Sequence, residues 1–109
     1  MTRFNKCLEI EVGHTFDKDG RRITRSEAEA MLVEARNLLT GVFDGFSERA
    51  QSGGYRDDAG QWVMDEGACF VVFTDRTELA CRAYAAQIRD IFRQSCVVCV
   101  ISKVKAVLL

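Results

Sequence analysis

Residues 24–41 dictate a helix, and that helix limits what the rest of the chain can become. Thr24-Arg25-Ser26-Glu27 reads as a capping box: the Thr24 hydroxyl accepts from the Glu27 amide while the Glu27 carboxylate reaches back. Ala28, Met31, Leu32, Ala35, Leu38 and Leu39 then recur on one face at helical spacing. Gly41 stands where a C-terminal cap is expected. A helix with one apolar stripe must bury it against a second layer, and the flanking segments supply one.

Ahead of the helix, Leu8, Ile10 and Val12 alternate with Cys7, Glu9 and Glu11, which predicts a half-buried strand over residues 4–12. Asp17 to Gly20 carries turn chemistry. Beyond the helix, residues 46–55 read as an extended strand, and Asp57-Asp58-Ala59-Gly60 as a hairpin turn. The return strand runs over residues 61–73, with Gly67 marking a bulge or a close backbone approach. Asp75-Arg76-Thr77-Glu78 has the spacing of a second capping box, before a helix lined by Ala80, Ala83, Tyr84, Ile88, Ile91 and Phe92. Residues 96–109 are valine-rich, lack glycine and proline, and predict a final strand. With right-handed crossovers the order βαββαβ implies an α+β domain of the ferredoxin-like plan, a four-stranded antiparallel sheet with both helices on one face. Its 109 residues suit one domain spanning the chain.

Fifteen basic residues nearly balance sixteen acidic ones, with no basic tail, so nothing in the charge pattern calls for nucleic acid. The five cysteines, Cys7, Cys69, Cys81, Cys96 and Cys99, are odd in number and sit mostly in apolar stretches. They are expected as reduced thiols packed like small hydrophobes. Residues 1–6 have no apolar leader and no stretch reaches membrane-span length, so a cytoplasmic setting is expected, the host's if the source is viral.

Two runs break the alternation expected of a sheet covered on one side: Cys69-Phe70-Val71-Val72-Phe73 and Cys96-Val97-Val98-Cys99-Val100-Ile101. Continuous apolar strands imply cover on both faces, and a homodimer is the simplest source of it. The competing reading places the runs at the sheet centre under a folded-over hairpin.

His14, the single histidine, could act as acid or base at a sheet mouth, but with no partner nearby in sequence it reads better as a strand-end surface residue. It cannot supply a zinc site, and the cysteines lack the paired spacing of one, so neither metal nor cofactor is expected. Cys96-Val97-Val98-Cys99 has the letters of a redox motif, yet in a strand the two thiols point to opposite faces. Arg82, Arg89 and Arg93 share the outward stripe of the second helix and read as solvated. Glu9 and Glu11 are expected to pair with Lys103 and Lys105 across neighbouring strands. The richest cluster is Gly53-Gly54-Tyr55-Arg56-Asp57 with Trp62 and Asp65-Glu66 on one hairpin. Two aromatics, a guanidinium and carboxylates on flexible backbone could cradle a small ligand. Alternatively, Tyr55 and Trp62 form a structural cross-strand pair.

Glu-rich residues 7–12, Asp19-Gly20 before the Thr24-capped helix, Phe43 to Gly45, Gly54-Tyr55-Arg56, Glu66 and Val71-Val72 form a whole-chain pattern. It resembles a family of small bacterial and phage proteins described as a domain of unknown function. Many members of that family look like exported lipoproteins, from which this chain departs. The resemblance implies the same fold and no activity.

The expected function is a non-catalytic, dimeric binding module for a small, anionic or nucleotide-like molecule, or for a protein partner. Tyr55, Arg56 and Trp62 are the expected contacts, with His14 at the pocket edge. A phage-type sponge for a nucleotide signal fits by analogy. The alternatives are a cofactor-free oxygenase or isomerase of the dimeric α+β barrel type, with His14 as base in a closed pocket, and a structural subunit.

Overall fold

The computed structural model describes residues 2–109. The elements follow the expected order: β1 (Thr2–Gly13), α1 (Arg25–Val42), β2 (Ser47–Arg56), β3 (Trp62–Thr74), α2 (Glu78–Ile91) and β4 (Val98–Leu108). They form one antiparallel sheet in the order β2-β3-β1-β4, the ferredoxin-like α+β arrangement.

β1 is the axis of the packing. Its Leu8, Ile10 and Val12 stand opposite Val72, Phe70 and Ala68 of β3, and together they meet Met31, Ala35 and Leu39 of α1 and Cys81, Ala85 and Ile88 of α2. Leu8 and Ile10 are wholly buried. Each such side chain contributes about 1.5–3 kcal/mol on leaving water.

Four local expectations change. α1 continues through Gly41 to Val42 and is capped by Phe43 in extended conformation, whose N–H donates to the Leu39 carbonyl. Phe43 is buried, so its ring draws the chain into the core and no left-handed glycine is needed. At α2 the cap is Thr77, whose hydroxyl accepts from Ala80 N–H at 3.1 Å. Asp75 accepts instead from the Asn5 amide at 2.9 Å, so it takes no part in a capping box. The inward stripe of α2 is accordingly Cys81, Ala85 and Ile88, continued by Phe92, while Ala83 faces solvent. Arg93 falls beyond the end of the helix and does not extend its arginine stripe.

The sheet face turned away from the helices carries no second layer of secondary structure in the single chain. Register places Val71 and Phe73 of β3 and Val98 and Val100 of β4 there, beside Glu9 and Glu11. Phe73, Val98 and Val100 are 46%, 53% and 41% exposed. Glu9 bonds Arg49 of β2 at 3.3 Å and not a lysine of β4. The expected Glu–Lys ladder fails because Lys103 stands opposite Lys6 and, by alternation, shares the helix-side face with Ile101.

Gly67 marks a close approach and not a bulge: β3 keeps its register up to it against β1 and through it against β2. A Cβ there would run into the Val12 carbonyl oxygen. The one irregularity between β1 and β4 lies between Phe4 and Lys6. Gly67→Ala should therefore cost on the order of 3 kcal/mol in a urea unfolding series. Gly53→Ala, which meets nothing within 4 Å, should stay within about 0.5 kcal/mol of the parent. Equal effects from the two would contradict the close packing described.

Candidate functional site

A groove of about 1000 Å³ lies between the start of α1, the β1–α1 loop and the base of the β2–β3 hairpin. One wall is His14, Thr15 and Phe16, the other Ser52, Met64, Asp65 and Glu66; Ile23, Ala28 and Leu32 add apolar lining, and Arg22, Arg25 and Glu29 charge.

The chain builds this wall by tying the end of β1 to β3. His14 N–H donates to the Glu66 carbonyl at 2.8 Å, and Glu66 N–H donates to the Thr15 hydroxyl at 2.8 Å. The Asp65 carboxylate accepts from Thr15 N–H at 3.3 Å. It sits where a side chain on residue 13 would be, so a Cβ on Gly13 would overlap it. Past Thr15 the loop folds back on itself. Ile23 N–H donates to the Thr15 carbonyl at 2.8 Å, and the Arg22 guanidinium lies 5.8 Å from the Phe16 ring centre.

Underneath, the turn after α2 supports the same loop. The Phe92 ring stacks on His14 at 6.2 Å, and Gln94 Nε2 donates to the Phe16 carbonyl at 2.7 Å. Lys18 N–H donates to the Arg93 carbonyl at 2.7 Å. Glu27, in the first turn of α1, gathers Arg21 at 2.8 Å, Arg93 at 2.9 Å and the Thr24 amide at 3.1 Å. The Arg21 bond chiefly, then Thr24 and Arg93, hold its carboxyl well below the usual range, at about 2.

The sequence-predicted site residues divide. His14 lines the groove, while Tyr55, Arg56 and Trp62 stand further out on the hairpin, beyond its lining. Trp62 is opposite Arg56, with the guanidinium 4.7 Å from the indole centre. Tyr55 is opposite Val63 and therefore on the other face, so Tyr55 and Trp62 do not pair. Trp62 and Met64 both lie over Gly54, at 3.3 and 3.4 Å from where its Cβ would be, forming a shelf that leads out of the groove. Thr15, Phe16 and Arg22 were not legible as site residues: their roles come from the loop's return path, which leaves no periodic signal.

Among the described residues, three possible metal donors, Glu9, Glu11 and Cys69, converge on the sheet face turned away from the helices. Burial first, and the charge of Glu9 next, push the Cys69 thiol up, so it keeps its proton. Cys96 and Cys99 are exposed free thiols, Cys96 preceding β4 and Cys99 within it.

No protein-family profile and no curated protein matches the chain at the level of sequence. Solved structures do match. A phage SAM lyase in complex with S-methyl-5'-thioadenosine overlays 91% of this chain and 81% of its own, with a TM-score of 0.69 and 18% identity. The same lyase in the apo state covers 92% and 81%, with a TM-score of 0.62. CutA from Synechococcus elongatus PCC7942 covers 96% and 85%, with a TM-score of 0.57 and 14% identity. At these identities the likeness establishes the fold.

The Glu27 cluster has a pH signature. Its carboxyl titrates near 4.5 when unfolded and at about 2 when folded. The stabilisation it confers is thus complete above the unfolded value and lost as pH falls toward 2. Melting temperatures between pH 7 and pH 2 should drop for the native chain, and Glu27→Gln should flatten part of that drop. Parallel curves for the two proteins would refute the assignment.

Proposed function

We propose that this chain binds S-adenosylmethionine or a close adenosyl thioether in the groove beside His14, and releases S-methyl-5'-thioadenosine from it. The observation that carries this reading is the near-complete overlay on a phage SAM lyase holding S-methyl-5'-thioadenosine. The composition of the groove supports it. Asp65, Glu66 and Glu29 offer counter-charge to a sulfonium, and Ile23, Ala28, Leu32 and Met64 offer apolar surface to a nucleoside.

The chemistry asks little of the protein. A sulfonium is already a leaving group. If the substrate's own carboxylate attacks its Cγ, a C–O bond forms as the Cγ–S bond breaks, and sulfur keeps the electron pair. The products are a neutral thioether and a four-carbon lactone, and atoms and charge balance without an added reagent. Opposite charges are consumed in this step, so moving the substrate from water to an apolar wall favours it. The protein's task is then to fold the methionine arm and exclude water. This moves the reading from a non-catalytic binder toward a catalyst, with no dedicated acid or base.

A binding-only sponge would use the same groove and differ in one result, the return of ligand unaltered. The bare sheet face with Phe73, Val98 and Val100 supports self-association as part of the same proposal.

Incubation with S-adenosylmethionine, followed by mass spectrometry of the small molecules, tests this. S-methyl-5'-thioadenosine and homoserine lactone should form, and Glu66→Gln should weaken binding by about tenfold through loss of one close charge. Unaltered, retained ligand would leave the sponge. Failure of both S-adenosylmethionine and S-methyl-5'-thioadenosine to bind in calorimetry would overturn the proposal. Native mass spectrometry of the same sample gives subunit number, and a monomer at all concentrations would remove the self-association component.

A further inference from the structure

We infer that Arg93 is a positioning residue for the groove, retained at a backbone position that suits glycine because its side chain latches the β1–α1 loop; this rests on the groove being the binding site. Arg93 is the one non-glycine residue with positive φ among the described residues, at 55°. It follows the C-cap of α2, where glycine is the usual occupant of the left-handed conformation. A branched-off, long side chain there is unfavourable unless something else holds it.

What holds it is on the groove side of the molecule. The Arg93 guanidinium bonds Glu27 at 2.9 Å, across 66 residues of sequence. Glu27 in turn holds Arg21 and the Thr24 amide, the two ends of the loop's returning limb. Arg22, Ile23 and Thr24 of that limb line the groove. The Arg93 backbone carbonyl meanwhile takes Lys18 N–H, and the residues either side of it support His14 and Phe16. Arg93 itself lines no part of the groove. Its guanidinium therefore acts at a distance, through Glu27, on the wall that a ligand would meet.

Stability and binding should consequently separate at this position. Arg93→Gly keeps the backbone bond to Lys18, relaxes the left-handed residue and removes only the latch. It should melt at or above the parent temperature. Amide hydrogen exchange across residues 14–24 should nevertheless quicken, and calorimetric affinity for S-methyl-5'-thioadenosine should fall on the order of tenfold. Arg93→Lys, which keeps the charge, should restore most of the affinity while keeping the backbone cost. Glu27→Gln should reproduce the faster exchange, and combining it with Arg93→Gly should add little.

Parent-like exchange in the loop of Arg93→Gly, or parent-like affinity with faster exchange, would overturn the inference. A melting temperature well below the parent would also overturn it, by making Arg93 an ordinary structural contact. If the parent chain itself does not bind S-methyl-5'-thioadenosine, the proposed function fails, and the exchange experiment alone decides whether the latch exists.

Discussion

The pairing of β1 with β3 governs the molecule, because side chains alternate with a period of two and β1 serves both faces of the sheet. In the observed register Leu8, Ile10 and Val12 enter the core, and Glu9 and Glu11 face away from it. A slip of one residue would exchange the two sets and bury carboxylates. The same register ends at Gly13 opposite Gly67. Two residues without side chains let the strands close tightly there, and the space at Gly13 is taken by Asp65. The groove is thus seated on the last rung of the ladder that builds the core.

Fold and groove nevertheless depend on different kinds of interaction. The fold is held by a continuous apolar cluster in which each residue is backed by several others. The groove wall is held by a few polar bonds converging from β3, α1 and the turn after α2. Loops of this kind tolerate exchange of residues far better than cores do. That difference explains how a chain can share a backbone with a lyase and with CutA at identities of 18% and 14%.

The parts of the fold that periodic patterns describe were legible. The Thr24 capping box, the alternation of β1 and the Asp57 to Gly60 turn all stand where the residues place them. What went astray involves choices between two local solutions that tertiary packing decides. Phe43 caps α1 because its ring has a core to enter, and Thr77 displaces Asp75 because Asp75 is held by Asn5. Of the candidate site, His14 and the Asp65-Glu66 pair could be named from sequence, since each stands out by chemistry. Tyr55 and Trp62 could not be assigned to faces without the hairpin register, which pairs Tyr55 with Val63. The contribution of Arg93 was hidden by its place in an apparent helical stripe.

The pairing of Thr2 with Leu108 and of Glu11 with Val98 places the first strand against the last. On a ribosome this order has a cost that the finished structure conceals. β1 emerges first, can be closed on one side once β3 follows, and keeps its other edge open until β4 is made. During that interval the nascent chain presents a central strand with one unpaired edge. Its alternating carboxylates, Glu9 and Glu11, then serve to keep that waiting edge from recruiting a neighbour.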